Sequence, residues 1–147
     1  MIKKILVATD ASTASGRAVS YAARLAVLHE AELLILNVIR EMQLPPELKQ
    51  APEFESFNNA RDELMQKAAD QILDDARKLA KKSGAKKIQT AIGSGDPATS
   101  VSGFARRRKI DLIVVGTRGL SKMKASSMGS VSRKLLDLTE INCLVVR

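Results

Sequence analysis

The sequence predicts an α/β protein: one doubly wound open sheet of five parallel strands with helices on both faces. Three observations carry this. Short apolar runs alternate strictly with longer segments of helical period. The runs are not broken by polar residues, as expected of strands buried on both faces. The connections are short, so each crossover is right-handed and the strands lie parallel. Composition agrees. Hydrophobic residues make up 45% of the 147, aromatics only 3%, and there is no Trp, so the core must be aliphatic. That length fits one domain over residues 1–147, and no repeat, low-complexity tract or domain boundary stands out.

Ile2 to Thr9 reads as the first strand: two lysines, then Ile5-Leu-Val-Ala. Asp10-Ala-Ser-Thr breaks it with helix-capping residues. The first helix follows from about Ala14 to His29, its stripe marked by Ala18, Ala22, Leu25 and Leu28 with Tyr21 adjoining. Leu33 to Ile39 is the second strand. Pro45, Pro46 and Pro52 then predict a long loop from Glu41 to Phe57, with at most a short helical turn. The second long helix runs from about Asn58 to Ser83, with Leu64, Ala68, Ile72, Ala76 and Leu79 on its apolar face, and Gly84 stops it. Lys87 to Ile92 alternates, as a strand near an edge does. Gly93-Ser-Gly-Asp-Pro97 is a turn, and Pro97 opens a helix to about Arg108. Ile110 to Val115 is the fourth strand, Ser130 to Leu138 the last helix and Cys143 to Arg147 the fifth strand.

Such sheets bind ligands at the carboxyl ends of the strands, where the winding reverses. Thr9-Asp10, Val38-Ile39 and Val115-Gly116 are the natural walls of one pocket. After the fourth strand comes Gly116-Thr-Arg-Gly119, nine intervening residues, then Gly129-Ser130-Val131-Ser132. Gly116 and Gly119 would let backbone approach an anion without a Cβ in the way. Gly129 and Ser130 stand at a helix start, where unpaired N–H groups and the dipole favour phosphate. The Ser130 and Ser132 hydroxyls are candidate further donors. Leu120 to Met128 would form a flap carrying Lys122 and Lys124.

These residues resemble the universal stress protein family in its ATP-binding subclass, over essentially the whole chain. Ile5-Leu-Val-Ala-Thr-Asp10, Gly95-Asp-Pro97, Ile113-Val-Val-Gly116-Thr-Arg-Gly119, Gly129-Ser130-Val-Ser132 and the closing Leu144-Val-Val-Arg147 carry the resemblance. It implies a Rossmann-like sheet of order 3-2-1-4-5 and ATP as ligand, with or without Mg or Mn. It places Ala8, Thr9 and Asp10 at adenine and ribose, with Asp10 accepting from the ribose hydroxyls or facing a metal ion. Val38 would be the adenine-side wall. Val115, Gly116, Arg118 and Gly119 would form the first half of the phosphate site, and Gly129, Ser130, Val131 and Ser132 the second. The resemblance also implies a homodimer through Cys143–Arg147. Two departures stand out: Asn142 where the family often has Pro, and Ala11 where Gly or Ser often follows the Asp. On the residues alone, Asp10 is equally readable as a helix cap.

The expected function is an ATP-binding regulatory switch. A slow ATPase or autophosphorylating enzyme is the alternative, disfavoured because no Gly-Lys-Ser/Thr motif, second carboxylate or pocket histidine is present. A phospho-receiver would need an acidic cluster near the first strand. The net charge of +8, clustered at Lys78–Lys82, Lys86-Lys87 and Arg106–Lys109, suits a solvated surface or an anionic partner. The dearth of aromatics argues against nucleic acid. Cys143 is the one cysteine and reads as a buried hydrophobe in a reduced, cytoplasmic protein. His29 alone makes a zinc site improbable. Neither a signal peptide nor a membrane span is expected.

Overall fold

The computed structural model describes residues 1–117 and 128–147. The order is β1 (Lys4–Ala8), α1 (Thr13–His29), β2 (Glu32–Ile39), α2 (Pro46–Lys49), α3 (Phe54–Lys82), β3 (Ile88–Ser94), α4 (Pro97–Arg107), β4 (Leu112–Gly116), α5 (Ser130–Leu138) and β5 (Asn142–Val146). Among the described residues the five strands form one parallel sheet ordered β3-β2-β1-β4-β5. The chain winds outward from β1 through β2 to β3, then returns to the other side of β1 for β4 and β5. The crevice of the sheet therefore opens between the carboxyl ends of β1 and β4.

Strand residues alternate between two cores. Ile5, Val7, Leu33, Ile35 and Val114 pack with Ala18, Ala22, Leu73, Ala76 and Ala80 of α1 and α3. Leu6, Leu34, Leu36, Ile113 and Val115 pack with Ala98, Val101, Ala105 and Leu135 of α4 and α5. The central strands feed both layers, so their sequences read as unbroken apolar runs. Small alanines at the helix contacts let helices lie close to the sheet.

Several element details differ from the sequence expectation. Leu28 is 75% exposed and Tyr21 44% exposed, because α1 buries the Ala18, Val19, Ala22, Ala23 and Ala26 stripe instead. On α3, Leu64 and Ala68 face solvent while Ala69, Leu73, Ala76 and Ala80 are buried. A 29-residue helix is about 43 Å long, and the longest strand, at eight residues, spans only about 26 Å. The buried positions all lie in the second half of α3, so its N-terminal turns overhang the carboxyl edge of the sheet. Pro46 initiates α2 and Pro52 precedes α3; prolines that argue against a through-going helix here mark two helix starts. β3 runs on through Gly93 and Ser94, and the turn contracts to Gly95 and Asp96, with Gly95 at φ 99°.

Asp96 caps α4. Its Oδ2 accepts from the Thr99 N–H at 2.9 Å and from the Thr99 hydroxyl at 2.8 Å, and pairs with Lys134 Nζ of α5 at 3.1 Å. The Thr99 hydrogen bonds, chiefly, and the lysine hold its carboxyl down at about 2. The folded-state value lies below the ordinary 3.8, so the carboxylate stabilises the fold fully above that value. The contribution disappears as pH falls from there through about 2. Asp96→Asn keeps a capping side chain but loses the charge. We expect it to lower stability at neutral pH by less than about 1 kcal/mol, since the pair is half exposed. The deficit against the wild type should vanish near pH 2. Thermal melts of both proteins across pH 2–7 check this; a deficit unchanged at the acid end would refute it.

Candidate functional site

A cleft of about 450 Å³ lies at the carboxyl ends of β2, β1 and β4, closed on one side by the starts of α4 and α5. Ten of the twelve sequence-predicted site residues line it: Ala8, Thr9, Asp10, Val38, Val115, Gly116, Gly129, Ser130, Val131 and Ser132. The other two, Arg118 and Gly119, lie outside the described residues, as do Lys122, Lys124 and the rest of the expected flap up to Ser127. A larger depression of about 600 Å³ sits between α1 and β5 and is lined by Arg17, Tyr21, Arg24 and Leu144 among others. It contains neither a helix N-terminus nor the winding reversal, and none of the predicted residues.

The β1 wall is built by short hydrogen bonds. The Ser12 N–H donates to Asp10 Oδ1 at 2.9 Å, and Ser12 Oγ caps α1 by accepting from the Ser15 N–H at 3.1 Å. Ser12, not Asp10, is thus the cap. Ser15 Oγ donates to the Ser12 carbonyl at 3.0 Å, so its 3.1 Å contact with Thr9 Oγ1 has Thr9 as donor. Buried Asn37 donates through Nδ2 to the Thr9 carbonyl at 2.8 Å. The hydroxyls of Thr9 and Ser15 are therefore engaged in holding the wall. Among the described residues only Oδ1 of Asp10 is engaged, which leaves Oδ2 for the cleft.

The opposite wall is the end of β4 and the start of α5. The Ser132 hydroxyl donates to the Gly116 carbonyl at 2.7 Å, so it is committed to structure and is not the free phosphate donor its sequence position suggests. The Gly129 N–H donates to the Thr117 carbonyl and the Thr117 N–H to the Val146 carbonyl. Gly129 caps α5, and the N–H groups of Ser130, Val131 and Ser132 are those an α-helix leaves without intrahelical partners. They open onto the cleft.

The two glycines serve different ends. A Cβ on Gly116 would lie 2.9 Å from the Ala14 carbonyl carbon and 3.0 Å from its oxygen, both backbone of α1. Gly116 is required by packing. Gly129 has φ −64° and ψ 155°, open to any residue, so nothing in its own backbone demands glycine.

The third wall lies on the β2 side. Leu36, Val38 and Arg40, spaced by two, line it together with Pro97 and Val101 of α4. Sequence reasoning picked Val38, which lines the cleft, and Ile39, which does not. The period-two continuation to Arg40 was readable, whereas the approach of α4 is a tertiary fact.

Two stability measurements probe this frame. Gly116→Ala should destabilise the fold by about 1–3 kcal/mol, because the clash is with backbone that cannot rotate away. Ala11 sits at φ 68°, a left-handed conformation that costs an alanine about 1 kcal/mol relative to glycine. Ala11→Gly should therefore stabilise by up to about 1 kcal/mol, part of the gain being offset by the freer unfolded chain. Denaturant unfolding of both variants decides. A neutral Gly116→Ala or a destabilised Ala11→Gly would contradict the geometry.

Comparison with known proteins agrees with the architecture. The family model for the "Universal stress protein family" matches residues 1–147. Universal stress protein YxiE of Bacillus subtilis is 35% identical over 151 aligned positions, covering the whole of both chains. Among solved structures, the protein designated MJ0577 superposes with a TM-score of 0.83 at 27% identity, covering 99% of this chain and 96% of that one. A universal stress protein crystallised in complex with cAMP superposes with a TM-score of 0.70 at 26% identity, covering 99% and 97%. With a match over the full chain and a sheet of order β3-β2-β1-β4-β5 behind it, this protein belongs to the universal stress protein family.

Proposed function

We propose that the cleft binds an adenine nucleotide, ATP above all, and that the protein acts as a nucleotide-dependent regulatory switch in the cytoplasm rather than as a fast enzyme. The observation that carries this is the α5 N-terminus, whose N–H groups at Ser130–Ser132 open onto the same cleft as an apolar end of Leu36, Val38, Pro97 and Val101. A ligand anionic at one end and flat and apolar at the other matches that polarity. The volume suits a nucleotide-sized molecule. The cAMP complex of a 26% identical relative supports an adenine nucleotide as the ligand class.

Asp10 Oδ2 would accept from ribose hydroxyls or meet a Mg or Mn ion carried with the phosphates. Arg118 and Gly119 would complete the phosphate end, with Gly116 supplying its frame. Asp10 is the sole carboxylate lining the described cleft, and His29 ends α1 at the far edge of the sheet. With Asp10 given to ribose or a metal ion, the described cleft offers no second carboxylate and no histidine as a base, which supports slow hydrolysis at most. Homodimerisation through β5 accords with its position: an edge strand paired on one side by β4, with Cys143–Val146 half-buried. Ordering of the cleft by nucleotide would then be read at that edge or by a partner.

Gly129→Asp tests the site. Asp is a good helix cap, and because Gly129 is buried a thermal melt matching the wild type establishes that the variant is folded. Its carboxylate would face phosphate at a few ångströms, a repulsion of about 4 kcal/mol near a protein surface. Mass spectrometry of gently purified wild type should find an adenine nucleotide, or titration should find micromolar ATP binding. The variant should bind at least about a hundredfold more weakly. Equal affinity of the two proteins would remove the phosphate assignment.

A further inference from the structure

We infer that Arg40 is the base-covering residue of the cleft: its guanidinium lies over the exposed face of the purine and sets how tightly the base is held. The inference rests on the nucleotide reading of the cleft and adds to it a residue that the resemblance does not name.

The argument starts from the strand. Side chains of β2 alternate, and Leu36, Val38 and Arg40 share the face turned to α4. Leu36 is fully buried and Val38 half-buried, both within the sheet. β2 ends at Ile39, so Arg40 is the first residue past the sheet edge and lines the open end of the cleft. Its backbone is held from the other side: Arg61, on the overhanging part of α3, donates from Nη2 to the Arg40 carbonyl at 3.1 Å. Among the described residues the Arg40 side chain itself has no hydrogen bond, ion pair or aromatic partner. A pinned backbone thus presents an uncommitted guanidinium to the cleft.

The chemistry of the ligand end supplies the need. No aromatic ring lines the described cleft. Among the described residues Leu36, Val38, Pro97 and Val101 can pave one face of a base, while the other apolar lining residues, Ala8, Val115 and Val131, lie on the β1 and β4–α5 walls. Arginine is the planar group at hand, and guanidinium stacks on aromatic faces where lysine, a compact point charge, does not. Phosphate binding is the competing task for this cation, and position opposes it. Arg40 follows β2, two strands from β4, and strands lie about 4.8 Å apart. Its backbone stands about 10 Å across the sheet from the β4–α5 end where the phosphate donors open.

The test measures dissociation constants of ATP, ADP and AMP for the wild type, Arg40→Ala and Arg40→Lys, with Gly129→Asp as reference. Both Arg40 variants should melt like the wild type, since the side chain holds nothing together. Arg40→Ala should weaken all three ligands by the same factor, about three- to tenfold, because the lost contact is with the base they share. Arg40→Lys should recover little of the loss. A loss that grows from AMP to ATP, or full rescue by lysine, would show a cation acting on phosphates and overturn the inference. Unchanged affinities in both Arg40 variants, with binding still strongly weakened in Gly129→Asp, would refute the role of Arg40 and leave the nucleotide cleft standing. A wild type that binds none of the three would remove both.

Discussion

The last residue of β4 touches the first turn of α1 backbone to backbone. Gly116 lies so near Ala14 that even a methyl group would overlap its carbonyl. On its other side the Gly116 carbonyl accepts from Ser132 of α5. One peptide unit therefore joins the helix that covers one face of the sheet to the helix that starts on the other. Shift it and both helix starts move, together with the Asp10–Ser15 turn that leads into α1 and the N–H groups that α5 turns to the cleft. The crevice that the winding reversal creates in principle acquires its width here.

This contact also separates scaffold from contact surface. The polar side chains best placed by sequence to touch a ligand are largely consumed by the frame: Thr9 and Ser15 by each other and by Ser12, Ser132 by Gly116, Asn37 by the Thr9 carbonyl. Buried hydroxyls without partners would be costly, and the structure leaves none among the described residues. Among the described residues, what remains to face a ligand is backbone N–H at α5, the Ser130 side chain, one carboxylate oxygen of Asp10, aliphatic side chains and a guanidinium. Such a surface recognises charge distribution and flatness.

Much of this was legible in the sequence, for a physical reason. Strands buried on both faces must be apolar throughout, and Ile5–Ala8, Leu33–Leu36 and Ile113–Val115 could hardly be read otherwise. Parallel pairing with right-handed crossovers then brings Asp10, Val38 and Gly116 to one edge. The positions of Leu28, Leu64 and Ala68 misled because a helical period accommodates two neighbouring stripes, and only the sheet beneath chooses between them. The capping role of Ser12 over Asp10 depends on the left-handed turn at Ala11, a conformation that alanine does not advertise. The packing role of Gly116 is hidden for a related cause: spacing shows that a side chain is unwelcome, but not whether a ligand or the protein's own backbone excludes it.

The surplus of positive charge finds its place in the same geometry. Lys81 and Lys82 end α3, and Arg106 and Arg107 end α4. Lys3 and Lys4 open β1, with Lys86 and Lys87 just ahead of β3. In a parallel sheet these are the helix C-termini and strand beginnings, all at the edge away from the cleft. Cations there complement the negative ends of the helix dipoles. A strand of five residues already separates the two edges by about 17 Å, twice the screening length of about 8 Å at physiological salt. The cations of that far edge therefore contribute little to the potential at the cleft. On the nucleotide reading, holding phosphates would fall to the local field of α5, where Ser130, Val131 and Ser132 present their N–H groups, with Arg118 completing the site. A site that binds by short-range donors rather than by overall charge should keep most of its affinity as ionic strength rises, whereas any partner recruited by the basic edge should be lost with salt.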